Sequence, residues 1–393
     1  MIHSPAHRLR RPLVAALVIV VGASLASCAG STPAPTSDAA IPAADAASTL
    51  SGVCPATVVV QATWEPEVDQ APFYNLVGPD RVIDTSKKSV TGTLVDGGKD
   101  TGVTIEVRSG GSAIGYQPVA SQMYTDTSIT LGSVTTEDRI AGATSQPTIG
   151  VFATRQLSPL MLMWDPATHP DWNSIADIGK TDAAVVVPKG ALFADALVAQ
   201  GVLKASQIDP TYDGTPARFV SDPSIAQDGF VTSEPYIYEH EVAQWGKPVK
   251  YQLVKDAGYD VYPDSLSIRS GDLTTLAPCL EKLVPVLQRS ELAYLADPTA
   301  TNDLIVTLAE QYNTGWVYSA GVADAGIAAT KKYQTMTGTD LSVPMGSFEQ
   351  TRADSSFELL TKTLGASGVT IKPGLTAADV FTNQFIDTSI TSE

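Results

Sequence analysis

Residues 64–74, which read WEPEVDQAPFY, hold the densest group of side chains in this chain that can recognise a small molecule. The aromatic and hydrogen-bonding members of the group are Trp64, Glu65, Glu67, Gln70 and Tyr74. The two aromatic rings can stack on a planar ring, and the carboxylates and the amide can accept hydrogen bonds from ring N–H or amino groups. The alternative is structural: the two rings pack at the edge of a lobe while the carboxylates face water.

Two further candidates follow predicted strands. Ser109 and Gly110 belong to a Ser-Gly-Gly turn after a strand predicted at residues 103–108, where N–H groups at the start of a helix can bind an anion. A tight turn is the alternative interpretation of this short motif. Glu234 follows a strand predicted at residues 229–232 and is included because of that position.

Other chemistries lack the residues they need. His169 and His240 are far apart in the sequence and lack metal-ligand spacing, so we predict neither a zinc site nor a His-based triad. The sequence contains no GxxxxGK[ST] phosphate loop and no GxSxG motif. We therefore predict no catalytic residue, no metal and no cofactor. An enzyme that uses Glu65 or Glu67 as acid and base is the alternative.

The elements that must position these residues alternate between strand and helix. Strands are predicted at residues 57–62, 103–108, 128–132, 148–154, 160–164, 183–187, 218–220, 229–232, 249–254 and 265–269. Helices are predicted at residues 67–77, 116–124, 135–143, 191–200, 234–244, 273–289, 301–311, 320–335, 357–364 and 376–385. Residues 78–102 resemble a hairpin-like insertion. This alternation predicts an α/β fold with mostly parallel sheets flanked by helices, and ligands bind such sheets at the carboxyl ends of the strands.

The length of 393 residues exceeds what one core usually serves, so we expect two lobes. The predicted divisions are a signal peptide at 1–27, a flexible tether at 28–52, the first part of lobe 1 at 53–154, lobe 2 at 155–254, and a return to lobe 1 with a helical C-terminal region at 255–393. The chain then crosses between the lobes near Thr154 and again near Val254.

The amino terminus has the organisation of an export signal. Three arginines precede an apolar run at residues 13–26, which is too short to span a bilayer. The run ends in Leu-Ala-Ser-Cys, which resembles a bacterial lipobox and implies lipidation of Cys28; the alternative is an ordinary thiol at the end of a cleaved signal. The following segment, rich in Ala, Ser, Thr and Pro, is typical of a flexible tether.

The remaining cysteines and the net charge narrow the function further. With Cys28 assigned to lipid, Cys54 and Cys279 remain, and an exported protein with two thiols favours one disulfide between them. The net charge of −17 disfavours nucleic acid and anionic membrane surfaces as partners.

Two motifs resemble a known family. Trp64-x-Pro66 with Tyr74 ten residues after the tryptophan is similar to the opening of the NMT1/THI5-like solute-binding proteins, in which Trp-x-Pro-x-x-x-His-x-x-x-Tyr follows the first strand; Gln70 stands here where that family has the His. Residues 228–235 (DGFVTSEP) resemble the strand and Glu-Pro turn of the wider nitrate, sulfonate and taurine binding proteins.

The resemblance implies a lipid-anchored, monomeric solute-binding protein of an ABC importer, outside the cytoplasm, with the two-lobed periplasmic-binding-protein-like fold (type II). It implies binding roles for Trp64, Gln70 and Tyr74, and for Glu67 in addition. The implied ligand is a small planar polar molecule such as a pyrimidine or a thiamine precursor, and the implied partners are the permease subunits in the membrane. Binding of sulfonate or nitrate, and a surface lipoprotein that binds another protein, are the alternatives.

Overall fold

The structure is a computed structural model that describes residues 40–393. The predicted signal peptide and Cys28 lie outside the described residues. Twelve strands form in the described part: β1 (Thr57–Gln61), β2 (Val82–Asp84), β3 (Ser89–Asp96), β4 (Lys99–Arg108), β5 (Leu131–Thr135), β6 (Thr148–Phe152), β7 (Leu160–Trp164), β8 (Val185–Val186), β9 (Ile208–Asp209), β10 (Ala226–Phe230), β11 (Lys250–Leu253) and β12 (Asp264–Arg269).

Helices cover these strands. The α-helices of residues 40–393 are α1 (Ala71–Tyr74), α2 (Val119–Thr125), α3 (Thr136–Ala141), α4 (Ile175–Gly179), α5 (Leu192–Ala199), α6 (Ala217–Ser221), α7 (Glu234–Tyr236), α8 (Leu273–Ala296), α9 (Thr299–Tyr312), α10 (Ala320–Tyr333) and α11 (Gln350–Ala366). Short 3-10 helices add single turns, and a π-helical turn, Ile237–Glu241, continues α7. None of the described helices is both long enough and apolar enough to cross a bilayer.

The strands form two mixed sheets, which confirms the predicted α/β class. The first sheet has the order β2-β3-β4-β1-β5-β12-β6, and the second has the order β11-β7-β10-β8-β9. Parallel pairing is confined to β1 with β4 and β5, and to β8 with β9 and β10. The sheets are therefore less parallel than predicted, because the β2-β3-β4 meander and the strands on either side of the lobe crossings pair antiparallel.

The chain passes between the sheets twice. It leaves the first sheet after β6, enters the second at β7, and returns from β11 to β12. Strand β12 then pairs with both β5 and β6, so the returning chain is inserted between β5 and the edge strand β6 of the first sheet. The described structure thus has two α/β lobes joined by segments 153–159 and 254–263.

The insertion at residues 78–102 forms a hairpin at the edge of the first sheet. Strands β3 and β4 pair antiparallel across the turn at Gly97 and Gly98, whose φ angles are +55° and +77°. Two successive positive φ angles suit the right-handed twist of a hairpin, and glycine adopts them without steric cost.

Two predicted elements are wrong. Residues 218–220 were predicted as a strand but belong to α6, because the apolar pair Phe219-Val220 is too short for its periodicity to distinguish strand from helix. Residues 376–385 were predicted as a helix, but only Ala377–Asp379 form a 3-10 turn. In this segment the aromatic rings of Phe381 and Phe385 are buried without regular structure.

The predicted disulfide is confirmed, since Cys54 is bonded to Cys279 of α8 across a sequence separation of 225 residues. In the chain-entropy model a loop of that size stabilises the folded state by about 5 kcal/mol. The end of the predicted tether is also attached to the fold. Ala44 donates to the carbonyl of Asp100 at 2.7 Å, and Leu50 is fully buried. Residues 42–50 therefore depart from the prediction of a tether through residue 52, because a pairing edge of β4 is available to them.

Candidate ligand site between the lobes

The segment predicted to bind a ligand lies at the carboxyl end of β1. It leaves the strand at Ala62, forms a 3-10 turn at Val68–Gln70 and continues into α1, where Pro72 occupies the first turn. A proline there removes an N–H that would otherwise lack a partner, which favours a helix start at this point. The residues between β1 and α1 consequently lie at the edge of the sheet that faces the second lobe, where Thr232 donates to Asp69 at 2.7 Å.

A cluster of aromatic rings surrounds Trp64, which is partly exposed. Its ring centroid lies 5.8 Å from that of Tyr116 and 6.1 Å from that of Trp316. Tyr318 stacks on Trp316 with ring centroids 6.0 Å apart, and the Trp316 indole donates to the carbonyl of Pro66 at 3.2 Å. We call Trp64, Tyr116, Trp316 and Tyr318 the aromatic cluster.

Tyr116 is 69% exposed and has a φ of +58°. This left-handed conformation is unfavourable for an aromatic residue, and such residues concentrate at ligand sites. Its N–H donates to the carbonyl of Gly111 at 2.9 Å, which holds the strained turn. An exposed ring in a strained turn beside Trp64 is therefore available to contact a ligand.

Backbone hydrogen bonds from the Ser109-Gly110-Gly111 turn hold the backbone of Trp64 and its neighbour in place. Gly110 donates to the carbonyl of Trp64 at 2.9 Å, and Gly111 donates to the carbonyl of Thr63 at 3.0 Å. A Cβ at Gly110 would lie 2.3 Å from the carbonyl carbon of Thr63, so a residue other than glycine would force the two segments apart. Because both N–H groups bind protein carbonyls, the tight-turn interpretation describes this motif better than anion binding does.

The carboxylate of Glu65 is held by two hydroxyl groups. It accepts hydrogen bonds from Ser109, at 3.1 Å, and from Ser112. The Glu65 side chain is buried. A Cβ added at Gly111 would lie 3.4 Å from Glu65 and 3.5 Å from the Trp64 ring, so the two side chains meet at this glycine. Ser109 thus orients a carboxylate beside the aromatic cluster.

The region where Asp69 of lobe 1 contacts Thr232 of lobe 2 is called the cleft. Glu67 and Asp69 lie there and are almost completely buried, with exposures of 3% and 2%. Burial, reinforced by the neighbouring Asp69 carboxylate, raises the pKa of Glu67 well above its usual value. Burial also raises the pKa of Asp69, although the Arg155 guanidinium opposes that rise. Arg155 lies 3.6 Å from Asp69 and donates to Asp264 at 3.0 Å.

The second lobe adds two more carboxylates. Glu234 accepts a hydrogen bond from the N–H of Phe230 at 2.6 Å, yet burial raises its pKa to about 7. Asp228 of β10 is 6% exposed, and burial together with the charge of Glu234 raises its pKa well above the usual value. The cleft is therefore acidic on both walls.

Gln70 and Tyr74 occupy different positions from Trp64. The Gln70 side chain is 2% exposed, donates to the hydroxyl of Thr63 at 3.3 Å and leaves its carbonyl oxygen without a partner. Tyr74 is 1% exposed and packs against Phe73 in the core of lobe 1. Tyr74 therefore lies in the core, and the rings beside Trp64 are those of Tyr116 and Trp316.

Sequence reasoning missed several residues of the site, namely Asp69, Tyr116, Arg155, Thr232 and Trp316. Asp69 lay inside the candidate segment but was not selected. The run NTGWVYS at residues 313–319 offered a signal, since two aromatic residues follow a glycine directly after a helix. Arg155 and Thr232 offered none, because single polar residues beside a strand are common.

A cavity of about 390 Å³ lies elsewhere, between α8, α10 and the C-terminal tail. Lys331 is the ionisable side chain of its wall, and Leu292, Leu295 and Met336 contribute apolar surface. Within residues 40–393, no three His, Cys, Asp or Glu side chains are grouped so that they could hold a metal ion.

Solved structures resemble this arrangement of lobes. The aliphatic sulphonate binding protein SsuA from Escherichia coli matches with a TM-score of 0.52 and 13% identity, over 85% of this chain and 92% of that one. The alkanesulfonate-binding protein SsuA from Xanthomonas axonopodis pv. citri, bound to MOPS, matches with a TM-score of 0.51 and 12% identity, over 84% and 99%. The chain has the periplasmic-binding-protein fold.

A ligand-binding component of an ABC-type import system from Staphylococcus aureus, with zinc bound, matches with a TM-score of 0.51 and 11% identity, over 84% of this chain and 98% of that one. No family model matches the sequence, and the search of curated proteins finds no significant match. In the periplasmic-binding-protein fold, ligands bind between the lobes and closure occurs around them.

Proposed function

We propose that the protein is the solute-binding component of an ABC importer and holds a small planar polar organic solute between its lobes. The observation that carries this proposal is that residues 64–69, after the end of β1, include both Trp64 of the aromatic cluster and Asp69, which Thr232 of the second lobe contacts. Aromatic faces bind a flat molecule, while oriented polar groups select its edge. A pyrimidine or a thiamine precursor has these properties.

Capture follows from differential binding. A solute that touches both Trp64 of lobe 1 and Glu234 of lobe 2 binds the closed arrangement more tightly than the open one, so it shifts the population toward closure. The closed lobes then present one continuous surface to the permease subunits. We propose binding alone and assign no chemical step to these carboxylates.

The proposed location is outside the cytoplasm, as a monomer anchored by a lipid on Cys28. The proposed tether would end before residue 42, since residues 42–50 are attached to β4. Mass spectrometry of the membrane fraction tests the anchor. We expect an amino-terminal peptide that begins at Cys28 and carries a diacylglycerol; a free thiol at this position would contradict the proposal.

A thermal-shift screen tests the function. Protein refolded from denaturant, and thus free of bound solute, is screened with pyrimidines, thiamine fragments, nucleobases, flavins, sulfonates and nitrate, because binding to the native state alone raises the melting temperature. For a solute that binds, Trp64→Ala is expected to weaken affinity at least about tenfold through lost stacking.

Trp245→Ala is the matched control, since Trp245 is also partly buried and contacts two aromatic rings but lies in lobe 2 away from the cleft. It is expected to lower stability without changing the affinity of the folded protein. Equal affinities for the wild type and Trp64→Ala would refute the assigned site.

A further inference from the structure

The cleft contains more buried carboxylates than cations. Its acidic side chains are Glu65, Glu67, Asp69, Asp228, Glu234 and Asp264, each buried or partly buried. The cation among them is Arg155, which binds Asp264 and lies 3.6 Å from Asp69. Within residues 40–393, no ion pair involves Glu65, Glu67, Asp228 or Glu234. Burying charge without a partner is costly, so this excess requires either protons or a cation.

Two hydrogen-bond acceptors near the meeting of the lobes lack a partner. One carboxylate oxygen of Asp228 and the amide oxygen of Gln70 are buried without a hydrogen-bond partner in the described part of the chain, whereas the corresponding oxygen of Asp69 faces the Arg155 guanidinium at 3.6 Å. Gln70 is an observation independent of the acids, because its amide is anchored on Thr63 directly before Trp64. Buried acceptors without donors indicate a ligand that supplies N–H groups.

Several neighbouring donors are already engaged. The Trp316 indole N–H donates to the carbonyl of Pro66, and the hydroxyls of Ser109 and Ser112 donate to Glu65. Thr232 donates to Asp69. A sulfonate or nitrate would need several free donors, whereas these groups are committed to protein acceptors.

The aromatic cluster adds a second preference for positive charge. The face of an indole or phenol ring carries negative potential and attracts an organic cation within about 6 Å of its centroid. The ring centroids of Tyr116 and Trp316 lie 5.8 Å and 6.1 Å from that of Trp64, and the Trp64 ring lies beside the Glu65 side chain at Gly111. Rings and carboxylates therefore favour the same class of ligand.

We infer that the solute is a small organic cation, a protonated amine carried on a planar or heteroaromatic ring, with its ring on Trp64 and its N–H groups directed to Glu67 and Glu234. This inference rests on the proposed function and names its substrate class. The solute supplies both the positive charge and the donors that the cleft lacks. It also places a charged group between carboxylates of opposite lobes, which links charge recognition to closure.

Paired compounds that share a ring and differ in charge test the inference. We would measure by isothermal titration calorimetry, at pH 7, the binding of 4-amino-5-aminomethyl-2-methylpyrimidine and its 5-hydroxymethyl analogue. Benzylamine, benzyl alcohol, benzoate and benzenesulfonate form a second set. The amine of each set is expected to bind at least about tenfold more tightly than its neutral partner, and the anions are expected not to bind.

Glu67→Gln removes one charge while preserving the shape of the side chain. It is expected to weaken binding of the amine about tenfold and to leave the neutral analogue unchanged, and Glu234→Gln is a second variant with the same expectation. Glu310→Gln, on the exposed face of α9, is the control and is expected to change neither affinity.

Three outcomes separate the two proposals. Tighter binding of the neutral or anionic partners, abolished by Trp64→Ala, would overturn the cation while the proposed function stands. Stabilisation by Zn²⁺ or Ca²⁺ in place of the amines would likewise overturn the organic cation. Binding of amines that is indifferent to Trp64→Ala and to Glu67→Gln would overturn both.

Discussion

Two buried arginines have opposite surroundings. Arg139 of α3 is fully buried, and its guanidinium donates to three hydroxyls, those of Thr136 at 2.6 Å, Ser267 at 2.9 Å and Ser265. Arg155 is 6% exposed and binds carboxylates, those of Asp264 and Asp69. We call these the hydroxyl-held and the carboxylate-held arginine.

The difference in partners appears in the pKa values. Burial lowers the pKa of Arg139 to about 10, and the more distant carboxylates of Asp264 and Glu137 recover only part of that loss. Burial also lowers the pKa of Arg155, but the adjacent Asp264 and Asp69 carboxylates outweigh it, and its pKa lies above the usual value. A buried guanidinium is thus tolerated in two ways, by dipoles or by opposite charge.

The two arginines also differ in what they connect. The hydroxyl partners of Arg139 belong to α3 and β12, and its guanidinium lies 4.9 Å from the ring centroid of Phe381. Arg155 lies on the crossing between the lobes, with its guanidinium 5.8 Å from the ring centroid of Phe230 in lobe 2. Arg139 consequently stabilises one lobe, while Arg155 stands where both lobes meet the ligand cleft.

Arg155→Met should have the largest effect, because it leaves Asp69 and Asp264 buried without their cation. We expect a loss of about 3–5 kcal/mol in the free energy of unfolding, measured by urea denaturation at pH 7. The double variant Arg155→Met with Asp264→Asn should recover part of it. A loss below about 1 kcal/mol would show that the carboxylates are protonated and that the guanidinium is not their main partner.

Arg139→Met should lower the free energy of unfolding by less, about 2 kcal/mol, because it leaves no adjacent carboxylate without its cation. The hydroxyls keep other partners, since Thr136 donates to the carbonyl of Tyr262 and Ser267 donates to that of Ser265. Ligand affinity should stay at the wild-type value in this variant. If Arg139→Met proves as destabilising as Arg155→Met in the same urea titration, the distinction between hydroxyl and carboxylate partners is wrong.

Glu137 and Glu234 should make the stability of the protein depend on pH, because burial raises the pKa of each from 4.5 to about 7. A carboxyl group with a raised pKa holds its proton more tightly in the folded state. Its contribution to stability is complete below pH 4.5 and is lost as pH rises through 7. Each glutamate should therefore lower the free energy of unfolding by about 2 kcal/mol between pH 5 and pH 8.

Glu137→Gln and Glu234→Gln should each reduce that pH dependence, as measured by urea unfolding across the range. A bound cationic solute should suppress the Glu234 contribution, since it favours the charged carboxylate, and should leave the Glu137 contribution intact. Equal effects of the solute on both glutamates would place the cation outside the cleft.

Much of the fold could be predicted because it depends on local pattern. The β-branched run TVVVQA forms β1, and strands at β7, β11 and β12 coincide with short apolar or alternating runs. The errors at residues 218–220 and 376–385 lie where tertiary packing, not periodicity, decides the backbone conformation. The disulfide was predictable once Cys28 was assigned to lipid, because two thiols then remain.

Only the residues of the candidate site that directly follow β1 could be predicted from the sequence. Trp64, Glu65 and Glu67 lie within six residues after the end of β1 at Gln61, so their common location followed from the end of one strand. Their partners are distant: Arg155 and Asp264 are 109 residues apart, Thr232 and Asp69 are 163 apart, and Trp316 and Pro66 are 250 apart. Such contacts depend on the docking of the lobes, which single-residue patterns do not encode.

Thr232→Val provides the smallest and most specific test of the contact between the lobes. It removes the 2.7 Å hydrogen bond to Asp69 and should cost about 1 kcal/mol of stability. Thr301→Val is a matched control, because it removes a bond of equal length to Asn75 within lobe 1 and should cost about the same.

The two variants should differ in shape. Because the Thr232 bond joins the lobes, its loss should raise the radius of gyration measured by small-angle X-ray scattering and weaken solute affinity several-fold, whereas Thr301→Val should change neither. Unchanged scattering in Thr232→Val would mean that other contacts, such as that of Arg155 with Phe230, hold the lobes together without the threonine. Opening in both variants would instead mean that closure depends on the general stability of lobe 1.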